Sequence, residues 1–382
     1  MLRKPAAAVA GLLSLAGIAY LGFAIQRVVA FRKPAGPTVD QPPVTILKPL
    51  CGAESQLYEN LRSVCDQSYP AYQIVFGVRD RDDPAIAVVD RIIAEFPALD
   101  LALVVDAHVS TANPKVANLA NMIGRAKHGI LVIADSDMRV DRAYLRAVVA
   151  PFADPRVGAV TCLYGGTPVA GIASRLGAMF INDQFAPSVL VARSLEELRY
   201  CLGATMAVRR DLLAAIGGFE ALGAHVADDH ELGRLASARG FEVVLAPYVV
   251  TNVVDEPSLR SLWDHELRWA RTIRSVRPIG FACSLVTHAV PMAVAFAALS
   301  PWQGVGLGLV AVAGGLRVGL HYAAHATLQI PSRPTPWLIP ARDAASLAVW
   351  IAAFFGRRVR WRSRDFSLHS DGRLSPHSPS EQ

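Results

Sequence analysis

The feature that most constrains this chain is an alternation between residues 44 and 135. Short apolar runs (VTILK, QIVFGV, LALVVD, ILVIAD) are separated by the helical patterns ESQLYENLRSVCDQ, DPAIAVVDRIIAEF and NPKVANLANMIGRAKHG. Strands that alternate with amphipathic helices predict parallel βαβ units, hence an α/β fold. In open sheets of this kind ligands sit outside the carboxyl ends of the strands. The residues to inspect are therefore Lys48 and Pro49, Arg79 to Asp83, Asp106 to Lys115, and Asp135 to Asp137.

Of the 382 residues, 52% are hydrophobic, more than an ordinary soluble core explains. Residues 6–31 form an apolar run long enough to span a bilayer, since a crossing takes about 20 residues. A cleaved signal peptide would have an apolar core of about 7 to 15 residues. The run reads as an uncleaved anchor, with Arg32 and Lys33 placing the next segment of chain in the cytoplasm. Further apolar stretches lie at 281–299, 303–326 and 337–355. Arg317 interrupts the second and Arg342 with Asp343 the third, which leaves the number of crossings open. The basic tail predicts a cytoplasmic C-terminus and an even number of crossings after the domain.

The predicted division is an anchor (1–33), a Pro-rich linker (34–43), and a catalytic domain (44–278) ending in an interfacial helix at 260–277. Membrane segments (279–356) and a basic tail (357–382) come after it. The net charge of +6 gathers beside the apolar segments, which suits anionic lipid headgroups and argues against nucleic acid. Five cysteines without metal-ligand spacing argue for a reduced, cytoplasmic setting.

Several residue groups carry candidate chemistry. The run ILVIADSDMRV ends in Asp135-Ser136-Asp137. Two carboxylates one residue apart at a strand's carboxyl end can hold a divalent cation, and that cation can neutralise a diphosphate. A solvated turn is the alternative. Asp228 and Asp229 follow a Gly-rich turn and open a helix. They could supply a general base for an acceptor hydroxyl, or simply favour the positive helix end. A base there would have its carboxylate form favoured.

The helix WDHELRWARTIR could lie in a membrane interface, place Arg268 and Trp269 against a diphosphate and acceptor, or do both. Asp80, Asp82 and Asp83 could grip a base or ribose, or cap the helix that begins at Pro84. Lys115, at a helix start, could reach a phosphate or be an ordinary surface lysine. With neither GxGxxG nor GxxxxGK[ST] present, the phosphates must be held by metal and carboxylates.

In this order KPL (48–50), RDRDDPAI (79–86), NPKVANL (113–119), DSD (135–137), ADDHELG (227–233) and HELRW (265–269) resemble the motif series of family 2 and family 21 glycosyltransferases. The resemblance is strongest to ceramide glucosyltransferases and their bacterial relatives in hopanoid biosynthesis. It covers residues 40–275 and implies a GT-A fold with a Rossmann-like mixed sheet, a UDP-sugar donor, a divalent metal (Mn or Mg), and inversion at the anomeric carbon.

On that resemblance, Asp80 and Asp83 lie near the nucleotide, with Lys48, Pro49 and Lys115 also on the donor side. Asp135 and Asp137 form the metal–diphosphate pair, and Asp229 is the base. Arg268 and Trp269 end a Gln-x-x-Arg-Trp motif that here begins with His265, and Asp228 and His265 are acceptor-side candidates. The resemblance also implies a membrane lipid acceptor and a multi-pass protein of the bacterial inner membrane, its domain facing the cytoplasm. Ala-, Arg- and Pro-rich usage suggests a bacterial source, which ranks a hopanoid polyol, with UDP-N-acetylglucosamine or UDP-glucose, ahead of ceramide. A processive synthase would need more crossings to line a channel, and a non-catalytic lipid-binding scaffold would not keep all four of Asp83, Asp135, Asp137 and Asp229.

Overall fold

The computed structural model describes residues 3–31, 41–356, 358–361, 364–368 and 373–376. Arg32 and Lys33, most of the 34–43 linker and half of the basic tail lie outside the described residues. The chain runs through α1 (Arg3–Ala30), β1 (Val44–Pro49), α2 (Leu57–Cys65), β2 (Tyr72–Val78), α3 (Ala85–Glu95), β3 (Asp100–Val105), α4 (Pro114–Met122) and β4 (Ile130–Ala134), which is the predicted alternation. It continues through β5 (Met138–Arg139), α5 (Tyr144–Val149), β6 (Val157–Pro168), α6 (Gly171–Phe180), a π-helical stretch (Ile181–Phe185), α7 (Ala186–Leu195), β7 (Thr205–Arg209), α8 (Arg210–Ala215), α9 (Asp228–Ala238) and β8 (Glu242–Val254). Helices α10 (Leu259–Val276), α11 (Pro278–Cys283), α12 (Ala289–Leu299), α13 (Gln303–Thr327) and α14 (Ile339–Ala352) come next, then strands β9 (Arg358–Trp361), β10 (Arg364–Leu368) and β11 (Leu374–Pro376).

Two compact units divide the chain, one of residues 33–164, 197–253 and 372–382, the other of 1–32, 165–196 and 254–371. Residues 165–196 and 254–278, which the contiguous 44–278 domain holds with the sheet, group instead with the C-terminal helices.

The first unit is built on an eight-stranded sheet of order β3-β2-β1-β4-β7-β6-β8-β5. Strands β1 to β4 are parallel neighbours, while β7 pairs antiparallel with β4 and with β6, and β5 antiparallel with β8. The sheet is therefore mixed. Strand β1 is buried at every position except Pro49, as expected of a parallel strand covered on both faces. Of its two buried polar side chains, Thr45 is satisfied by Gln73 and by the amides of Lys127 and His128, and Lys48 by the Asp135 carbonyl. Leu61 and Val64 from α2 and Val89 and Ile92 from α3 pack against Ile46, Ile74 and Phe76.

Helix α4 starts where Asn113 accepts hydrogen bonds from the amides of Lys115 and Val116, with Pro114 as its first residue. It lies so close to β2 that a Cβ at Gly77 would collide with Met122 and Asn118, and the Asn118 amide donates to the Gly77 carbonyl at 2.8 Å.

In the second unit α1 packs against α12, α13 and α7. Small residues allow the close approach, since a Cβ at Gly17 would stand 2.7 Å from that of Ala289. Among the described residues two helices, Lys4–Ala30 and Gln303–Thr327, are long and apolar enough to cross a membrane, and the pair Pro278–Thr287 and Ala289–Leu299, bent by 65°, makes up to three. The third predicted apolar stretch folds instead as the 14-residue α14, whose Arg342 and Asp343 are buried inside the unit. Fourteen residues at 1.5 Å each fall short of a crossing of about 20.

Candidate active site

Strand β4 delivers Asp135 to its carboxyl end, and β5 begins immediately after Asp137. The loop is fixed from several sides. Lys48 Nζ donates to the Asp135 carbonyl at 2.6 Å, Asn60 donates to the Ser136 carbonyl, and the Ser136 hydroxyl donates to Glu54 at 2.7 Å. Asn252, on β8, donates to Asp137 Oδ2 at 2.7 Å.

Helix α9 presses on Tyr200 and Cys201 so closely that a Cβ at Gly233 would strike the Tyr200 backbone, and the Cys201 amide donates to the Asp229 carbonyl. A Cβ placed on Gly203 would stand 3.2 Å from Asp229 Oδ2 and 3.8 Å from Asp135 Oδ2, so both carboxylates converge on that glycine. The sequence-predicted Asp135, Asp137, Asp228, Asp229 and Lys115 are thus brought together within one unit.

The two helix-start carboxylates differ. Asp228 is buried and faces Lys115, with Nζ 3.6 Å from Oδ2. Asp229 makes no ion pair among the described residues and accepts the His230 amide at 2.7 Å. Burial, and then the charge of Asp228, push the Asp229 carboxyl up to about 7. The helix start was expected to favour the ionised form, but desolvation outweighs the helix field here. Burial, then Asp135 and Glu54, likewise push Asp137 up to about 7.

Five carboxylates, those of Glu54, Asp135, Asp137, Asp228 and Asp229, face two ammonium groups, Lys48 and Lys115. An all-oxygen donor set carrying excess negative charge suits a hard divalent cation, so the residues fit a metal at Asp135 and Asp137.

Other predicted residues are placed differently. Lys48 is fully buried beneath the Asp135 loop, where desolvation lowers it to about 8. Asp83 accepts the Gly52 amide at 2.9 Å and the Ala85 amide at 2.9 Å, so it ties the loop after β1 to the start of α3. Asp80 is exposed and accepts the Asp82 amide, and Pro49 closes β1.

His265, Arg268 and Trp269 belong to the second unit, on α10. His265 Nδ1 meets Glu256 Oε1 at 2.7 Å and its ring packs edge-on against Trp269, with centroids 4.3 Å apart. Burial pushes the Glu256 carboxyl up, but bonds from His265 and Ser261 outweigh it and hold it below the usual range. Arg271 and Arg274, expected at headgroups, donate to the carbonyls of Phe354, Phe355 and Gly356 at the end of α14.

Sequence reasoning missed the partners of these groups. Asn60, Glu54 and Asn252 carry no local signal, because the DSD-loop residues that they meet lie 76, 82 and 115 residues away in sequence. It also missed what the charges within the apolar stretches do. Arg342 forms a two-pronged ion pair with Glu266, at 2.6 and 2.7 Å, that fastens α10 to α14. Arg317 bridges Asp183 and Asp343, each at 3.0 Å. Asp183, His321 and His325 bring potential ligand atoms within 4.8 Å of one another. The Thr335 amide donates to His321 Nε2, so His321 Nδ1 carries the proton and donates to Asp183, which unsuits it as a metal ligand.

Comparison with known proteins bears on this arrangement. The family described as Glycosyl transferase family 21 matches residues 9–374. Ceramide glucosyltransferase 3 of Caenorhabditis elegans is 25% identical over 235 residues, 60% of this chain and 50% of the relative. The ceramide glucosyltransferase of Komagataella phaffii is 35% identical over 130 residues, 32% of this chain and 25% of the relative. The chain therefore spans about half the length of the worm relative. A mannosyltransferase of Pyrobaculum calidifontis, solved with GDP-Man and Mn2+, superposes with a TM-score of 0.56 at 22% identity, covering 92% of this chain and 99% of that one. That likeness is one of fold, and the fold is GT-A.

Proposed function

Because the chain belongs to glycosyl transferase family 21, we propose that it moves one sugar from a UDP-sugar to a lipid hydroxyl, with a ceramide-type alcohol as acceptor and glucose as the sugar. This reverses the order given above, since the relatives named here are ceramide glucosyltransferases. We place the protein in a membrane, with α1 as anchor and the sheet-bearing unit on the cytoplasmic side, where Arg32 and Lys33 would put it.

The observation that carries the reading is the convergence of Asp229, a carboxylate without an ion pair among the described residues and raised to about 7, with Asp135 on Gly203. In the proposed reaction Asp229 takes the proton of the acceptor hydroxyl as its oxygen attacks the anomeric carbon from the face opposite the leaving diphosphate. Lys48 and Asn252 hold the Asp135 carbonyl and the Asp137 carboxylate in place throughout. A divalent cation held by Asp135 and Asp137 would offset the charge that develops on the diphosphate. Arg268 and Trp269 are assigned to donor binding on the family motif.

The test incubates membranes carrying the protein with labelled UDP-glucose and UDP-N-acetylglucosamine, offering ceramide and a hopanoid polyol, with products read by mass spectrometry. Ceramide plus one hexose is expected. A hopanoid product alone would restore the ranking that composition suggests, and no lipid product with either donor would overturn the reading.

A further inference from the structure

Lys115 stands where a cation is wanted. Its Nζ lies 2.6 Å from Asp135 Oδ1 and 3.6 Å from Asp228 Oδ2. Asn113 fixes the root of this side chain: its side chain caps α4 and donates to the His225 carbonyl, and its backbone amide donates to the Gly223 carbonyl, which ties α4 to the loop leading into Asp228. Among the described residues Asp228 Oδ2 is buried without a hydrogen bond, its ion-pair partner Lys115 standing back at 3.6 Å. A buried carboxylate oxygen left unmatched is costly, so it is a seat prepared for a donor.

We propose that Lys115 is a two-seat latch on the metal site. It neutralises Asp135 while the site lacks its cation and moves onto Asp228 Oδ2 when a divalent cation engages Asp135. The displacement required is about 0.8 Å, since a charge-assisted N–H···O bond closes at about 2.8 Å and the ammonium already stands at 3.6 Å. This assigns Asp228 a role distinct from that of Asp229: it receives the displaced lysine and does not act as base. No bond forms or breaks, and the net charge of the cluster rises only by that of the incoming cation.

The proposal rests on the metal reading of Asp135 and Asp137, and the experiment separates the two. Mn2+ alone, without nucleotide, is titrated into the detergent-purified full chain and followed by electron paramagnetic resonance. Lys115→Met removes the competitor and should bind Mn2+ about 10-fold more tightly than wild type. Asp228→Asn removes the second seat and should bind it several-fold more weakly. In the double variant the Asp228→Asn effect should vanish, because no lysine remains to be rehoused.

Lys115→Gln serves as a second competitor-free variant if the methionine folds poorly, folding being checked by thermal melting. Unchanged or weaker Mn2+ binding in the folded competitor-free variant, or additive effects in the double variant, would overturn the latch while leaving the metal reading intact. Mn2+ binding that is indifferent to Asp135→Asn and Asp137→Asn would overturn both.

Discussion

Asp229→Asn tests the proposed chemistry where structure supplies the numbers. The folded carboxyl titrates near 7 against an ordinary value of 3.8, so in wild type kcat/KM should fall about tenfold per pH unit below 7 as the base is protonated. The amide keeps the size and the bond to the His230 amide but accepts no proton. Turnover should drop by about 100- to 10,000-fold, the usual worth of general-base catalysis, and the acidic limb should disappear with it.

Stability should move the other way. Between pH 4 and 7 the folded chain holds a proton at Asp229 that the unfolded chain has released, so wild-type stability falls as pH rises through that window. The ionised group therefore destabilises the fold above pH 7. In chelator, Asp229→Asn should therefore melt higher than wild type at pH 8 and match it near pH 4. The assays are radiolabelled transfer across pH 5 to 9 and thermal melting in detergent. Asp228→Asn is the control: saturating Mn2+ should restore its turnover, while Asp229→Asn should stay inactive. Near-normal turnover in Asp229→Asn, or an acidic limb that survives in it, would refute the assignment.

Two further predictions concern the cofactor and the product. Chelation should abolish transfer and Mn or Mg restore it, with Asp135→Asn and Asp137→Asn losing both activity and Mn2+ binding; full activity in chelator would remove the metal from the mechanism. The glycolipid should gain the mass of one sugar, and a ladder of increments on mass spectrometry would instead indicate a processive synthase.

The parallel half of the fold was legible because strands β1 to β4 announce themselves as apolar runs separated by helices. The antiparallel extension through β7, β6, β8 and β5 was not, since register between distant strands leaves no local pattern. Asp135, Asp137 and Asp229 were found because strand ends and helix starts position side chains predictably. Lys48 occupies a strand end too, yet it points under the loop and is buried, a matter of which neighbour covers it. The raised Asp229 carboxyl was equally invisible, because the sequence shows the helix start but not the burial that outweighs it. Arg317 and Arg342 read as interruptions of apolar helices because their partners Asp183 and Glu266 lie more than seventy residues away in sequence, and Asp343 because its partner Arg317 sits on a different helix.

Those interruptions carry their own consequence. Arg317 and His321 recur one turn apart on α13 and meet Asp183, on the π-helical stretch, while Arg317 also holds Asp343 on α14. The side chains of Arg317, Asp183 and Asp343 are 4%, 0% and 8% exposed, so each charge depends on the others and not on water. Sliding or rotating α13 by one residue would strand two carboxylates in an apolar unit, which makes the triad a register lock between three elements. Arg317→Leu keeps the bulk of the stem but leaves both carboxylates without their cation, and breaking a buried pair in this way costs about 3–5 kcal/mol. The variant should melt well below wild type in detergent. Adding Asp183→Asn and Asp343→Asn should recover most of the loss, because the cost lies in the abandoned charges and not in the missing attraction. If Arg317→Leu melts like wild type, or the triple variant is no better than the single, the three charges do not set the register of α13.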